Sequence, residues 1–206
     1  MNAIEGVGVH ESPLCQWKKL SIFENGFHYG RQQYTFADID CLEFYYVAAN
    51  VRVNFVPAGT DYEAHLKIIL TGDRGTIKAD YNGSITKWPL ASAKAKAERV
   101  YVVYAEVAKR SFDQRMRKYV NSLKDYGYFM YDGAKFYLDG KVTSGKKEAN
   151  LKVHQVCKDN STLEIRVPGD GHWHWDSPSI CVQLAKDPDC LTVLMRTIYG
   201  LSLTGS

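Results

Sequence analysis

SAKAKAERVYVVYAEVAKRSFDQRMRKYVNSL, from Ser92 to Leu123, is the stretch that decides the fold. Apolar residues recur at Val100, Tyr101, Val103, Tyr104, Val107, Ala108, Phe112, Met116, Tyr119, Val120 and Leu123, one stripe at helical period, which predicts a long amphipathic helix. The helix also holds the charge asymmetry of the chain. From Ala91 to Tyr126 nine Lys/Arg stand against four acids, a net of +5, while residues 1–90 carry −2 and residues 127–206 carry 0, giving the +3 of the whole chain. A basic helix is therefore set between two neutral or acidic halves.

Those halves read as β-structure. In the first, Lys19 to Phe23 and Phe27 to Tyr29 flank Glu24-Asn25-Gly26, and Asn-Gly supplies the backbone a tight turn needs. Tyr34 to Ile39 reads as a short strand running into a turn. Leu42 to Ala48 and Val51 to Val56 read as an apolar pair around Ala49-Asn50, and Leu66 to Leu70 and Gly75 to Tyr81 as a hairpin around Gly72-Asp73-Arg74. In the second half Tyr128 to Tyr131 and Ala134 to Leu138 flank Asp132-Gly133, and Leu151 to Cys157 and Thr162 to Val167 flank Lys158-Asp159-Asn160. A terminal helix is expected from about Asp189 to Leu201, with Asp187 or Asp189 as its N-cap and Gly200 near its end. Sliding the halves by 114 residues matches Asn25-Gly26 to Asp139-Gly140, a repeat of element order with very low identity.

The first half resembles a pleckstrin-homology-like domain of the bacterial type. The resemblance rests on Leu20-Ser21-Ile22-Phe23-Glu24-Asn25-Gly26-Phe27 as an opening strand and on Tyr34-Thr35-Phe36-Ala37-Asp38-Ile39, similar to the family's aromatic-x-Asp-Ile turn. It extends to the helix that closes the barrel, covers residues 19–123, and reaches residues 127–201 more faintly. It implies an α+β chain of two small antiparallel barrel or sandwich modules, each closed by a C-terminal helix, the first helix long and amphipathic. The expected division is an N-terminal arm over 1–18, one module over 19–125 and a second over 126–206. Folds of this kind bind phosphoinositides, peptides or proteins, and the fold does not choose among them. Lipid-binding members carry basic residues in the loop after the first strand; here that loop reads as Glu24-Asn25-Gly26, acidic and short.

At 206 residues and 45% apolar, the chain is long enough for a sizeable core, as one large domain or two smaller ones. Fourteen tyrosines and four tryptophans suit β-structure. Met1 to Glu11 lacks the basic start and apolar run of a signal sequence, and no apolar stretch is long enough to span a bilayer, so a cytoplasmic protein is expected. Cys15, Cys41, Cys157, Cys181 and Cys190 are odd in number and scattered, as reduced buried thiols are.

Three local features bear on chemistry. Gly140-Lys141-Val142-Thr143-Ser144-Gly145-Lys146-Lys147 comes one residue short of a phosphate-binding loop, because Lys147 stands where a hydroxyl should hold magnesium; it reads as a solvated Gly/Lys loop. His172-Trp173-His174-Trp175-Asp176 places two histidines on one face of a strand and two tryptophans on the other. His172 and His174 could ligate zinc, and Trp173 and Trp175 beside a Gly-rich loop could anchor a partner. On the helix, Lys109, Arg110, Arg115, Arg117 and Lys118 make a basic cluster that fits a solvated face, an acidic partner or an anionic surface. No nucleophile motif, zinc-protease motif or dinucleotide fingerprint is present.

The expectation is a non-catalytic binding or scaffold module with no cofactor. Its partner is a protein, met through an exposed sheet edge or the basic helix face. Nucleic acid is not expected, and a sheet edge could also be buried in a homo-oligomer. A peripheral module on anionic lipid and a metal-dependent hydrolase centred on His172 and His174 are the alternatives.

Overall fold

The computed structural model describes residues 12–53, 56–72, 74–83, 90–158, 162–166 and 180–203. The chain is α+β, with two α-helices and four antiparallel sheets among the described residues, each sheet open in its strand order. It divides into two compact units, 1–114 and 115–206, and the division falls inside the first helix.

In the first unit, β1 (Cys15–Trp17), β2 (Leu20–Ile22), β3 (Phe27–Tyr29) and β4 (Gln32–Tyr34) form a meander in that order. Within the span expected as an arm, Cys15–Trp17 pairs with β2 as the edge of this sheet. The hairpin expected around Asn25-Gly26 forms, with Ile22 opposite Phe27 and Leu20 opposite Tyr29. Gly26 is required there: a Cβ at this position would lie 2.3 Å from the carbonyl oxygen of Tyr34. Leu20, Ile22 and Phe27 are buried. The chain then makes a 3-10 turn over Phe36–Asp38, in which the Asp38 carboxylate accepts from the Thr35 backbone N–H at 2.8 Å and from its hydroxyl at 2.9 Å.

The second sheet of this unit is β5 (Ile39–Val53), β6 (Val56–Leu70) and β7 (Thr76–Gly83), in that order. The turn expected at Ala49-Asn50 does not form. Instead β5 runs on to Val53, with Ala49 opposite Asp61 and Asn50 opposite Thr60. The Asn50 side chain accepts from the Thr60 hydroxyl at 3.1 Å, so a residue favoured in turns is held in the ladder. Burial alternates along β6 at Ala64, Leu66, Ile68 and Leu70 and along β7 at Ile77 and Ala79, the period of a half-buried sheet. Helix α1 (Leu90–Tyr126) brings Ala97, Val100, Val103, Val107 and Ala108 into the same cluster. Each of the three valines contributes on the order of 1.5–3 kcal/mol by leaving water.

The second unit repeats the order of elements. Strands β8 (Tyr128–Tyr131), β9 (Ala134–Tyr137), β10 (Lys141–Ser144) and β11 (Lys147–Asn150) form a four-stranded meander. Strands β12 (Gln155–Lys158), β13 (Thr162–Arg166) and β14 (Ile180–Gln183) form a three-stranded sheet, and α2 (Pro188–Tyr199) follows. A shift of 114 takes Leu20 at the start of β2 to Ala134 at the start of β9, and Phe27 of β3 to Lys141 of β10. At the β8–β9 turn Asp132 and Gly133 have φ of 45° and 76°, the backbone of a two-residue hairpin. The Gly/Lys stretch over 140–147 is no solvated loop: it folds into the β10–β11 hairpin, with Ser144 opposite Lys147. Its inward positions, Val142 and Ala149, are buried.

Candidate functional site

The apolar stripe of α1 places Val107, Ser111, Arg115 and Tyr119 one above the other at steps of four. All four are buried. The Ser111 hydroxyl donates to the Val107 carbonyl at 2.7 Å. Arg115, expected on the exposed basic cluster, has none of its side chain exposed. Its guanidinium donates to Asp187 at 2.8 Å and to both carboxylate oxygens of Asp189 at 2.8 and 2.6 Å. The Tyr119 hydroxyl donates to the other oxygen of Asp187 at 2.8 Å. Burial works against the charged guanidinium, but the hydrogen bond and charge of Asp189, with Cys190 and Asp187 beside it, raise its pKa, so Arg115 stays charged. Asp187 caps α2 from a left-handed conformation with no side-chain cap bond, its carboxylate engaged by Arg115 and Tyr119 instead. This cluster binds parts of unit 2 to each other, with Arg115 and Asp187 fully buried and Asp189 partly open to solvent.

Arg110 is also neutralised. It grips Glu24 through two contacts, at 2.9 and 3.1 Å, and Glu106 at 3.3 Å. Lys109, Arg117 and Lys118 remain exposed. The five-residue basic cluster is therefore reduced to three exposed cations. His172, Trp173, His174 and Trp175 lie outside the described residues. Among the described residues no group of three His, Cys, Asp or Glu is placed to hold a metal ion. No disulfide joins the five cysteines. The Cys15 thiol is pushed up to about 11 by burial and by Glu106, against Arg110, and burial pushes Cys190 to about 12 against Arg115, so neither forms a thiolate near neutral pH. No helix of the described residues is long and apolar enough to cross a membrane.

The sheet-edge expectation leads to β5. Among the described residues this strand is bonded on one side only, to β6, and its fifteen residues make it an unusually long edge. Its two faces differ. On one, Glu43 pairs with Lys67 at 2.6 Å, Tyr45 lies 6.2 Å from the His65 ring, and His65 sits 3.2 Å from Asp80. On the other, Leu42 is buried and Phe44 stacks on Tyr104 of α1 with ring centres 4.0 Å apart and an interplanar angle of 7°. Tyr101 stands 5.8 Å from Phe44 and is 51% exposed. Tyr46, two residues on, is 36% exposed; desolvation, together with Glu98 and Tyr62, raises its phenol pKa against Lys94, which keeps the hydroxyl protonated as a donor. Val102 on α1 is 48% exposed. A long strand edge thus lies beside a wall of half-exposed aromatic rings, all within unit 1. The sequence did not separate these tyrosines: Tyr101 and Tyr104 are spaced as members of the apolar stripe, like its buried valines.

Comparison of the chain with protein-family models, with curated proteins and with solved structures finds no match.

Proposed function

We propose that this protein is a non-catalytic binding module that takes an extended segment of a partner protein along β5. The observation that carries this reading is the fifteen-residue edge strand beside the Phe44–Tyr101–Tyr104 rings. An added strand would pair its backbone with β5 for affinity, and its alternate side chains would face the aromatic wall for specificity. Aromatic and apolar anchors are the fitting residues of such a segment, since flat rings lose little entropy on binding and bury much area. The fold reading that goes with it is a tandem of two pleckstrin-homology-like modules. The repeated order of four strands, three strands and a helix in each unit supports that reading. Arg110 and Arg115, two of the five basic residues singled out on α1, are engaged within the fold, which counts against that cluster as the principal surface.

The test is selection of peptides from a random display library on the full chain, followed by hydrogen exchange of the complex. Slowed exchange at the amides of residues 43–49, and binding weakened about tenfold or more by Tyr101→Glu, would support the reading. Protection confined to other strands, or peptides indifferent to Tyr101→Glu, would sink it. Sedimentation at rising concentration covers the homo-oligomer: a dimer dissociated by Tyr101→Glu would put a second copy of the chain on this edge in place of a partner.

A further inference from the structure

Helix α1 ends at Tyr126, and Gly127 turns the chain out of it with φ of 75°, in the left-handed region that glycine enters freely. Strand β8 begins at the next residue, so Tyr126 and Tyr128 are brought side by side, with ring centres 6.0 Å apart. Tyr128 is in turn the cross-strand partner of Tyr137 on β9, at 5.3 Å between ring centres. Alternation along the strands gives the buried face of this sheet Phe129, Tyr131, Phe136 and Val142. Tyr128, Met130, Lys135, Tyr137 and Lys141 take the other face, with Met130 exposed and the rest half-buried.

Two cations stand on these rings. The Lys135 ammonium is 4.7 Å from the centre of the Tyr128 ring, and the Lys141 ammonium is 6.0 Å from that of Tyr137. Lys141 is also held by Glu148 at 2.7 Å. Lys135 makes no ion pair among the described residues. The charge of the chain lies in this unit: residues 115–206 carry 13 Lys/Arg against 10 acids, the whole of the +3.

A cross-strand tyrosine pair stabilises a small sheet whatever its use. Tyr126 lies outside the ladder and is 69% exposed, so its ring does little for the fold. A row of open rings takes flat apolar groups, and lysines beside the rings take anionic oxygens. Single-stranded nucleic acid supplies both in one polymer, a base and a phosphate at every step. A duplex does not, because its bases are already stacked on one another. Aromatic residues on the open face of a four-stranded sheet stack two or three bases in this way. A cation on an exposed ring is worth less than a base stacked on it. A base therefore displaces the Lys135 ammonium from Tyr128, and the ammonium meets the adjoining phosphate in a charge-assisted contact. An acidic peptide would satisfy the lysines and leave the rings in water.

We infer that the outward face of β8 and β9, together with Tyr126, binds single-stranded nucleic acid, with bases stacked on Tyr126, Tyr128 and Tyr137 and Lys135 on the phosphates. The sequence showed the tyrosines but not which of them face out. The site lies in unit 2 and does not depend on the reading of β5 in unit 1.

The experiment follows the fluorescence anisotropy of labelled oligouridylate and of its deoxy counterpart, each of about twelve nucleotides, as the full chain is added. Binding to either supports the inference, and a preference between them names the sugar, since the two differ only in the 2′-hydroxyl. Tyr126→Ala is expected to weaken binding about tenfold or more, with thermal unfolding matching the parent because the ring is exposed. Each engaged lysine adds about −0.7 to the slope of log affinity against log salt, so Lys135→Gln is expected to make that slope shallower by about 0.7. Lys78→Gln, which removes an exposed cation of unit 1, is expected to change neither. No binding to either single strand at low salt would overturn the inference. So would a DNA duplex bound as tightly as the single strands, a polyglutamate peptide that competes as well as they do, or an affinity indifferent to Tyr126→Ala.

Discussion

Units 1 and 2 are built from the same order of elements, yet they spend their strands and charges differently. In unit 1 the three-stranded sheet contains two strands of fifteen residues; among the described residues of unit 2 the corresponding strands β12 and β13 have four and five. In unit 1 an arginine of α1, Arg110, reaches Glu24 at the surface, where the glutamate is 63% exposed. In unit 2, Arg115, five residues further along the same helix, is sealed between two aspartates at the start of α2. The first unit extends a strand edge and leaves aromatic rings half open beside it. The second closes on itself around a buried ion cluster. On the proposed reading the first unit receives the partner and the second supports it; among the described residues the two differ in strand length and in the solvent exposure of one ion pair.

Substitutions at the two arginines test this contrast most strongly. Arg115→Ala leaves Asp187 and Asp189 without their counter-charge, and a loss of about 3–5 kcal/mol in unfolding free energy is expected by chemical denaturation. If Arg115→Ala is silent, the cluster is not what closes unit 2. Arg110→Ala removes a bridge to an exposed carboxylate, and its unfolding midpoint is expected to stay within the scatter of ordinary surface changes. Leu66→Ala, in the core cluster of unit 1, is expected to cost about 2–5 kcal/mol. It thus compares an apolar core with the ionic one of unit 2 at similar magnitude.

The acid limb of stability offers a finer test. Asp38 is held below the ordinary carboxylate range: burial pushes its pKa up, while the Thr35 hydrogen bonds and then Arg74 outweigh that. A carboxylate with a depressed folded pKa stabilises above its unfolded value, near 3.9, and that stabilisation is lost as pH falls through the folded value. Asp38→Asn is therefore expected to flatten the acid-side fall in midpoint below about pH 4, by less than about 1 kcal/mol since Arg74 is half exposed and screened. An unchanged acid profile would remove the 3-10 turn from the account of unit 1. The smallest effect belongs to Lys18→Gly, which relieves a left-handed lysine. Stability within about 1 kcal/mol of the parent, in the stabilising direction, is expected by chemical denaturation.

The sequence made some of these features plain and hid others. Both helices and the hairpins at Asn25-Gly26 and Asp132-Gly133 were readable because helical period and turn chemistry are local signals. Strand β5 was read as two because Ala49-Asn50 has turn composition; the Thr60 hydroxyl that keeps Asn50 in the ladder belongs to another strand. The β10–β11 hairpin was missed because its exposed positions are Lys, Thr, Ser and Glu, while its inward residues are only Val142 and Ala149. The spacing of Arg115 did put it on the buried stripe, four residues from Ser111 and from Tyr119. Its charge argued for the surface, and the acids that reverse that argument lie 72 and 74 residues later. The acidic loop at Glu24 was taken to follow the first strand, whereas β1 precedes it and the turn after β1 is Lys18-Lys19.

That separation of 72 residues has a consequence in time. A ribosome adds roughly 5–20 residues per second, so Asp187 emerges about 4–14 s after Arg115. Unit 1 has all of its strands and its stretch of α1 before then. Arg115 is without its two aspartates through that interval, and the ion cluster closes only when the start of α2 arrives. The buried charge of unit 2 is thus settled by the last helix described in it, not by the helix that opens it.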